Sequence, residues 1–256
     1  MPEYAFDNAW EHARHRLSLL EELQDPHTFR RLERIGVRAG WNCLEVGAGS
    51  GSVARWLADR VAPGGHVLGT DIDHNLITHI QHEHFEARQH DIVRDALPEA
   101  TYDLIHARWV LMHIPERDQV LERLVRALKP GGWLFLEDAY EYPIRDLESP
   151  RGRGFHAWLR VVEGVGSSVT WAERLPQRLH ALGLHGVTSE ADMQVWCGGT
   201  RTCEFWRLSI QQVRDRIASK GGDTSVIDDG LAQFDDPALW TLNPITMAAW
   251  GRRPSA

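Results

Sequence analysis

The stretch from Trp41 to Asp71 constrains the fold most, because it joins two apolar segments through a turn rich in glycine. The segment 43–46 is mostly apolar and is typical of a buried strand. Three alternating glycines follow it directly: Gly47, Gly49 and Gly51. Apolar residues then recur at helical spacing: Val53, Trp56, Leu57 and Val61. A second apolar run ends on Asp71, so the stretch predicts the first half of a nucleotide-binding βαβ unit, in which backbone approaches the ligand.

The spacing of the glycines separates two classes of cofactor. A dinucleotide-binding turn, Gly-x-Gly-x-x-Gly counted from Gly47, needs a glycine where Ser52 stands. Here the third glycine comes one position early, and Glu45 stands two residues before the first glycine. The pattern therefore differs from the dinucleotide fingerprint.

Four motifs follow one another in the order found in class I S-adenosylmethionine-dependent methyltransferases, and the chain resembles that family from about residue 40 to residue 140. They are ExGxGxG at 45–51, the acid Asp71 after the second strand, HDI at 90–92 and LKPGGWLFLED at 128–138. The resemblance implies an α/β fold with a doubly wound, seven-stranded, mostly parallel sheet whose last strand is antiparallel. We expect one domain, 1–256, with an N-terminal helical cover (1–39), a cofactor-binding core (40–140) and a substrate-side half (141–256).

Apolar periodicity gives the expected elements. Further strands are predicted at 85–88, 102–107, 133–138, 186–196 and 243–250, the last one at the sheet edge. Helices are predicted at 4–22 and 28–35 on either side of Asp25-Pro26, from about residue 75, from about residue 115, and at 155–165, 171–182, 202–219 and 225–234.

The segment 197–242, before the last strand, is too long for an ordinary connection. It is predicted to be a helical insert that covers the acceptor site, with Gly221-Gly222 as a hinge. Four aromatic residues in or next to this segment are predicted either to pack against the sheet or to line a pocket: Trp196, Phe205, Trp206 and Trp240.

The resemblance assigns roles to the cofactor residues. Glu45 is expected at the amino-acid end of S-adenosylmethionine, Asp71 at the ribose hydroxyls, and Asp91 with Ile92 at the adenine. Arg16 is a candidate partner for the methionine carboxylate, since an N-terminal helix closes over the cofactor in similar enzymes. Asp91 could equally be a turn acid. Further cofactor contacts are expected at Gly47, Gly49, Gly51, Ile72, Ala107 and Arg108.

The acceptor side is expected at the carboxyl ends of the fourth and fifth strands, where ligands of open α/β sheets lie. Trp109, His113, Tyr140 and Tyr4 are the candidate substrate contacts. His113 is the candidate catalytic base, because an ordinary imidazole with a pKa near 6.5 accepts a proton at neutral pH. Its alternative role is to cap the next helix. His106 lies within a strand, which favours a place in the core.

Composition and short motifs argue against several classes of partner and site. A net charge of −8 argues against a nucleic-acid partner, and ARWV at 107–110 replaces the Pro-Pro-aromatic motif of base-methylating enzymes. Three cysteines without CxxC spacing predict neither a disulfide framework nor a zinc site. His79, His82 and His84 are not expected to bind a metal, because one exposed helical face explains His79 and His82. Without a signal segment or a long apolar run, a soluble, cytoplasmic protein with no membrane partner is expected.

The predicted reaction is methyl transfer from S-adenosylmethionine to an oxygen, nitrogen or carbon nucleophile of a small-molecule acceptor. One alternative is a nicotinamide-dependent oxidoreductase, although the Tyr-x-x-x-Lys pair of a common reductase type is absent. The other is a cofactor-binding scaffold without catalysis. The acceptor, the atom methylated and the oligomeric state are not predicted by the sequence.

Overall fold

The computed structural model describes residue 6 and residues 8–140, 148–242 and 244–255. The strands are β1 Asn42–Val46, β2 His66–Asp71, β3 Phe85–Gln89, β4 Tyr102–Arg108, β5 Leu128–Tyr140, β6 His185–Asp192, β7 Val195–Cys197, β8 Trp240–Leu242 and β9 Ile245–Arg252. The α-helices are α1 Ala13–Ile35, α2 Ser52–Val61, α3 Arg117–Ala127, α4 Pro150–Gly164, α5 Leu175–Ala181, α6 Arg201–Ser219 and α7 Ser225–Leu231. Short 3-10 helices span His74–Leu76, Leu111–His113 and Trp171–Arg174.

Seven strands form one sheet in the order β3-β2-β1-β4-β5-β9-β6. β1 to β5 pair in parallel, whereas β9 runs antiparallel to both β5 and β6. This confirms the predicted doubly wound sheet with an antiparallel last strand. The predicted edge position of that strand is wrong, because β9 lies between β5 and β6. Its centre, with Ala248 and Ala249 fully buried, suits an interior strand, and the more polar, exposed β6 suits the edge.

The two faces of the sheet are covered by different helices. Successive strand residues point to opposite faces: Leu104 packs in a cluster with α2 and the end of α1, and Ile105 in a cluster with α3 and α5. A third cluster joins α1, α4, α6 and α7 through Phe155, Trp158 and Trp206. The predicted insert therefore packs on α1 and α4. The strand predicted at 186–196 ends at Asp192, since β7 pairs with β8 in a separate two-stranded sheet.

α1 runs through Pro26 as one helix, so the predicted break between two helices is wrong. Proline removes one backbone hydrogen bond and costs about 3 kcal/mol inside a helix. Burial on both sides of Pro26 offsets this cost, because Leu19, Thr28, Arg31 and Leu32 are all fully buried. The predicted start of this helix at residue 4 lies outside the described residues, and α1 itself begins at Ala13.

The helix predicted from about residue 75 is also wrong, since only a 3-10 turn at His74–Leu76 forms there. Asp73 begins it by accepting a hydrogen bond from the Asn75 N–H (3.2 Å), and the chain soon enters β3. The nearby histidines consequently share no helical face. His82 Nε2 lies 3.3 Å from an Asp59 carboxylate oxygen, and His84 Nδ1 lies 2.9 Å from the Gly65 carbonyl oxygen.

Candidate functional site

A cavity of about 300 Å³ lies at the carboxyl ends of the parallel strands. Its wall comes from the segments that follow β1, β2, β3 and β4, together with α1, α4 and α6. This is the position that the strand topology favours for a ligand.

The glycine turn forms one wall of the cavity with its backbone. Gly47, Gly49 and Gly51 all have positive φ, at 66°, 57° and 90°. A Cβ on Gly47 would lie 2.3 Å from Val110 Cγ2, and one on Gly51 would lie 2.3 Å from Ile80 Cδ1. Both positions therefore require glycine, for conformation and for space.

Asp71 ends β2 and holds the glycine turn in place. One carboxylate oxygen accepts the Gly49 N–H (3.1 Å) and the other accepts the Asp73 N–H (3.1 Å). Burial raises the Asp71 pKa above its ordinary value, and these backbone donors oppose that rise. Each carboxylate oxygen can accept a further hydrogen bond. Ile72, also on the wall, leaves 52% of its surface exposed.

Asp91 and Ile92 line the cavity beyond β3. Asp91 Oδ1 accepts the Val93 N–H (2.9 Å), which is the turn geometry that the sequence left as an alternative. Arg123 fixes this loop to α3 by donating to the carbonyl oxygens of Ile92 (2.6 Å) and Val93 (2.7 Å). Asp91 thus both forms the turn and lines the cavity.

A buried chain of charges lies beneath the glycine turn. His106 Nδ1 lies 2.7 Å from Glu45 Oε2, and His106 Nε2 lies 3.2 Å from Glu137 Oε2. Arg31 Nη1 donates to Glu137 Oε1 (2.8 Å), and Thr28 donates to Oε2 (2.6 Å). His106 is fully buried, as its place within a strand predicted, but its role is polar.

The ionisation of this chain follows from its contacts. Burial alone would lower the His106 pKa, but the charges of Glu45 and Glu137 and the hydrogen bonds to them raise it to about 9. Burial would raise the Glu137 pKa, but His106, Arg108 and Thr28 lower it to about 2. For Glu45 burial prevails and the pKa is raised, although His106 opposes this. An imidazolium donates from both ring nitrogens, which matches a carboxylate on each side.

Sequence reasoning missed this chain of charges. The available signal was Glu45 and His106 at adjacent places in two buried strands, since the two residues are register partners. Glu137, near the end of β5, completes the chain from the neighbouring strand.

α1 covers the glycine turn through polar contacts. Asp25 Oδ1 accepts from Arg108 Nη1 (2.8 Å) and from the Ser52 hydroxyl (3.0 Å), and Glu21 accepts the Ser52 N–H (3.2 Å). Arg16, only 6% exposed, lines the cavity with its guanidinium carbon 4.9 Å from the centroid of the Phe6 ring. The predicted N-terminal cover is therefore α1, tied to the motif that it covers.

His113 lines the far end of the cavity. Its Nδ1 lies 3.0 Å from the Ser167 hydroxyl, and its ring meets Phe6 edge-on at 5.5 Å. Burial, assisted by the positive charges of Arg16 and Arg117, lowers the His113 pKa to about 3. The expectation of an ordinary pKa near 6.5 is therefore wrong, and the ring is neutral at neutral pH.

The remaining predicted residues differ in position. Trp109 lines the cavity, whereas Ala107 (2% exposed) belongs to the core and is not part of the described wall. Tyr140, half-buried at the end of β5, packs against the core and is likewise not on that wall. Tyr4 lies outside the described residues. The wall also includes aromatic and thioether side chains that were not candidate substrate contacts, although pocket lining was one interpretation of the last two: Phe6, Met112, Trp158, Phe205 and Trp206.

Two further properties concern the described part of the chain only. No group of three or more His, Cys, Asp or Glu side chains there is arranged to hold a metal ion. No helix among those residues combines the length and apolar character needed to cross a bilayer.

A family model described as a methyltransferase domain matches residues 4–189 of the chain. The methyltransferase GfsG of Streptomyces halstedii is 35% identical over 127 residues, which cover 46% of this chain and 45% of that protein. A phosphoethanolamine N-methyltransferase of Triticum aestivum is 23% identical over 212 residues, which cover 80% of this chain and 38% of that protein. The chain thus spans less than half the length of these two curated relatives.

Among solved structures, phosphoethanolamine N-methyltransferase 2 of Haemonchus contortus, in complex with phosphomonomethylethanolamine and S-adenosylhomocysteine, has a TM-score of 0.63 to this chain. The identity is 15%, and the alignment covers 98% of this chain and 59% of the other. At that identity the likeness shows a shared fold.

Proposed function

Because this chain belongs to the methyltransferase domain family, we propose that it transfers the methyl group of S-adenosylmethionine to an oxygen, nitrogen or carbon nucleophile of a small-molecule acceptor. The observation that carries the proposal is the cavity in which a glycine-rich turn meets the carboxylate of Asp71. A net charge of −8 supports a small acceptor over a nucleic acid.

The described wall fits this cofactor. The backbone of Gly47 and Gly49 lines the cavity without side chains and allows close approach to a ligand, whereas Gly51 is not on the described wall and precedes the first residue of α2. Asp71 accepts hydrogen bonds from the two ribose hydroxyls, and Asp91 with the backbone of Ile92 receives the adenine. Ile72 supplies apolar surface beside that ring.

The amino-acid end of the cofactor lies nearer to α1 in this proposal. Glu45, held by His106, receives the methionine amino group, and Arg16 receives the methionine carboxylate. Arg108 is ion-paired with Asp25, so its role is to fasten α1 over the site. Ala107 supports the wall from the core.

The chemistry is a displacement that needs alignment more than acid–base power. When bound, S-adenosylmethionine supplies a methyl group on a sulfonium sulfur: the nucleophile–carbon bond forms, the carbon–sulfur bond breaks with its electron pair left on sulfur, and the acceptor loses a proton. The protein holds the acceptor in line and keeps water out with α1, α4 and α6. For an oxygen acceptor, the neutral ring of His113, oriented by Ser167, accepts the proton of the methylated oxygen, which is acidic enough for an imidazole of such low pKa.

Isothermal titration calorimetry with S-adenosylmethionine tests the cofactor assignment. Asp71→Ala removes the hydrogen-bond acceptor of two ribose hydroxyls. The affinity of the variant for S-adenosylmethionine should therefore fall about tenfold or more, because a charge-assisted hydrogen bond contributes about 1.5 to 3 kcal/mol. Asp229→Ala, at an exposed position in α7, is the matched control and should bind like the wild type. Circular dichroism checks that both variants are folded.

Two outcomes would contradict the proposal. Unchanged affinity of a folded Asp71→Ala protein would remove Asp71 from the ribose site. Micromolar binding of NAD to the wild type, without binding of S-adenosylmethionine, would replace methyl transfer with the oxidoreductase alternative.

A further inference from the structure

The two ends of the cavity differ in chemistry. The cofactor end is bordered by the glycine turn and acidic side chains, whereas the other end is bordered mainly by apolar groups. Its aromatic and thioether side chains come from the N-terminal segment, the segment after β4, α4 and α6: Phe6, Trp109, Met112, Trp158, Phe205 and Trp206.

These rings form a continuous wall. The Trp109 ring lies 5.7 Å from Phe205 and 6.1 Å from Trp206, between ring centroids. Trp158 meets Trp206 at right angles at 5.9 Å and lies 6.3 Å from Phe6. Such spacings are those of favourable aromatic pairs. The rings thus both pack the insert against α4 and present apolar faces to the cavity.

Trp109 has two features that packing alone does not explain. Its φ of 56° is one that residues other than glycine rarely adopt, and such outliers concentrate at functional sites. Its backbone N–H, bound to the Glu137 carbonyl oxygen at 2.6 Å, helps to hold that conformation. Its indole Nε1 is buried and has no hydrogen-bond partner among the described residues. A buried donor without a partner is unfavourable, and a ligand oxygen in the cavity would satisfy it.

The charges at this end are few. Arg16, Arg108 and Glu116 are charged side chains of the described wall near these rings, but Arg108 is ion-paired with Asp25 and the His113 ring is neutral. Arg16 lies against Phe6 and is the residue assigned to the methionine carboxylate. A phosphorylated acceptor needs a cluster of cations or bidentate arginines, which this end of the described wall does not provide.

We propose that the acceptor is an uncharged molecule with a flat ring system, bound against the wall that Trp109 forms with the aromatic side chains of α4 and α6, with an oxygen that accepts the Trp109 Nε1–H. The inference rests on the proposed methyl transfer and names its substrate class. It separates this chain from phosphoethanolamine methyltransferases, whose fold it shares.

A series of probes tests the ring subsite. Phenol, 2-naphthol, 4-phenylphenol and phosphoethanolamine are titrated into the protein, with and without saturating S-adenosylhomocysteine, by calorimetry. Affinity should rise about tenfold or more from phenol to 4-phenylphenol, because each added apolar surface is buried against the rings. Phosphoethanolamine should bind more weakly than any phenol. Equal affinity across the phenols, or tightest binding of phosphoethanolamine, overturns the proposal.

Two variants locate the subsite. Trp109→Gly removes the ring at a φ that glycine adopts freely, and should lower 4-phenylphenol affinity about tenfold while S-adenosylhomocysteine affinity stays within about twofold. Trp109→Phe keeps a ring but removes the N–H, so it should weaken 4-phenylphenol about threefold or more and leave biphenyl unchanged. Trp240→Ala, whose ring is 68% exposed and outside the cavity, is the matched control and should change neither. Unchanged 4-phenylphenol binding in both Trp109 variants overturns the proposal.

These measurements distinguish failure of the substrate class from failure of the proposed methyl transfer. If S-adenosylhomocysteine does not bind but the phenol series and the Trp109 variants behave as expected, methyl transfer fails and the ring subsite stands. If S-adenosylhomocysteine binds and the phenol series is flat, the substrate class fails and methyl transfer stands.

Discussion

Replacing His106 with glutamine should destabilise the protein strongly and in a pH-dependent way. The His106 ring is fully buried between Glu45 and Glu137, at 2.7 and 3.2 Å from their carboxylate oxygens. His106→Gln leaves both carboxylates buried without the intervening cation. Removing one partner of a buried ion pair typically costs about 3 to 5 kcal/mol.

The raised His106 pKa gives a second, independent value for the contribution of the imidazolium to the free energy of unfolding. A rise from 6.5 to about 9 in the folded protein corresponds to about 3 kcal/mol, at about 1.4 kcal/mol for each pH unit. Between these values the folded protein holds a proton that the unfolded chain has released, so the free energy of unfolding falls as pH rises. The stabilisation is fully present below pH 6.5 and is lost as pH passes 9. Between pH 6.5 and 8.5 the wild type should lose about 2 kcal/mol from this group.

Urea unfolding at pH 6.5, 7.5 and 8.5 measures both effects. At pH 6.5 the variant should be less stable by about 3 kcal/mol or more, with a melting temperature lower by about 10 °C. The difference from the wild type should shrink by about 2 kcal/mol at pH 8.5, because the variant has no imidazolium to deprotonate and groups that do not contact His106 contribute equally to both proteins. His79→Gln, at an exposed position, is the control and should follow the wild type. Parallel pH dependences, or a difference below about 1 kcal/mol at pH 6.5, would refute a buried imidazolium.

Three further predictions follow from particular contacts. Where proton removal limits the reaction, His113→Gln should lower kcat, measured as S-adenosylhomocysteine release, by about 100-fold with cofactor affinity unchanged, and a loss below about threefold would make the residue structural. With its pKa lowered to about 3, His113 should give the wild type no inflection between pH 5.5 and 8.5. Hydrogen exchange in segment 197–242 should slow when S-adenosylhomocysteine and 4-phenylphenol bind, because α6 supplies part of the cavity wall; protection already maximal in the free protein would make the insert a fixed element. Pro26→Ala should raise the free energy of unfolding by about 1 kcal/mol or more in urea titrations, since it restores an amide donor inside α1, and no gain would show that the helix has adapted to proline.

The sequence predicted what local chemistry determines. The glycine turn was predictable because positive φ and the absence of a Cβ are properties of single residues, and Gly47 and Gly51 show both needs. The acid after β2 was predictable from its place at a strand end, where Asp71 binds the turn. The doubly wound sheet followed from the order of apolar strands and helices.

Long-range packing explains the errors. Pro26 signals a break, but buried residues on both sides hold α1 continuous. The prediction that the last strand lies at the sheet edge was wrong, because pairing of β9 on both sides depends on where β6 lies. The sequence pattern of β9 does not reveal the position of β6. His113 has an ordinary pKa in an isolated peptide, and the burial that lowers it to about 3 exists only once Phe6 and Ser167 pack against it.

The aromatic end of the cavity was the least predictable part of the site. Trp158 and Trp206 follow helical patterns that serve equally for core packing, and their place on the cavity wall depends on how α4 and α6 dock. Sequence reasoning left these two roles open for the insert. The structure places Phe205 and Trp206 on the cavity wall and packs them with α1 and α4, so the predicted packing against the sheet is wrong.

A crystal structure of the protein grown with S-adenosylhomocysteine tests the central claim most directly. We expect density for the ligand in the cavity, with the ribose hydroxyls within hydrogen-bond distance of Asp71, the adenine beside Asp91 and Ile92, and the amino-acid end toward Glu45 and Arg16. Density at another place, or a reversed ligand with its adenine against Trp109, would contradict it.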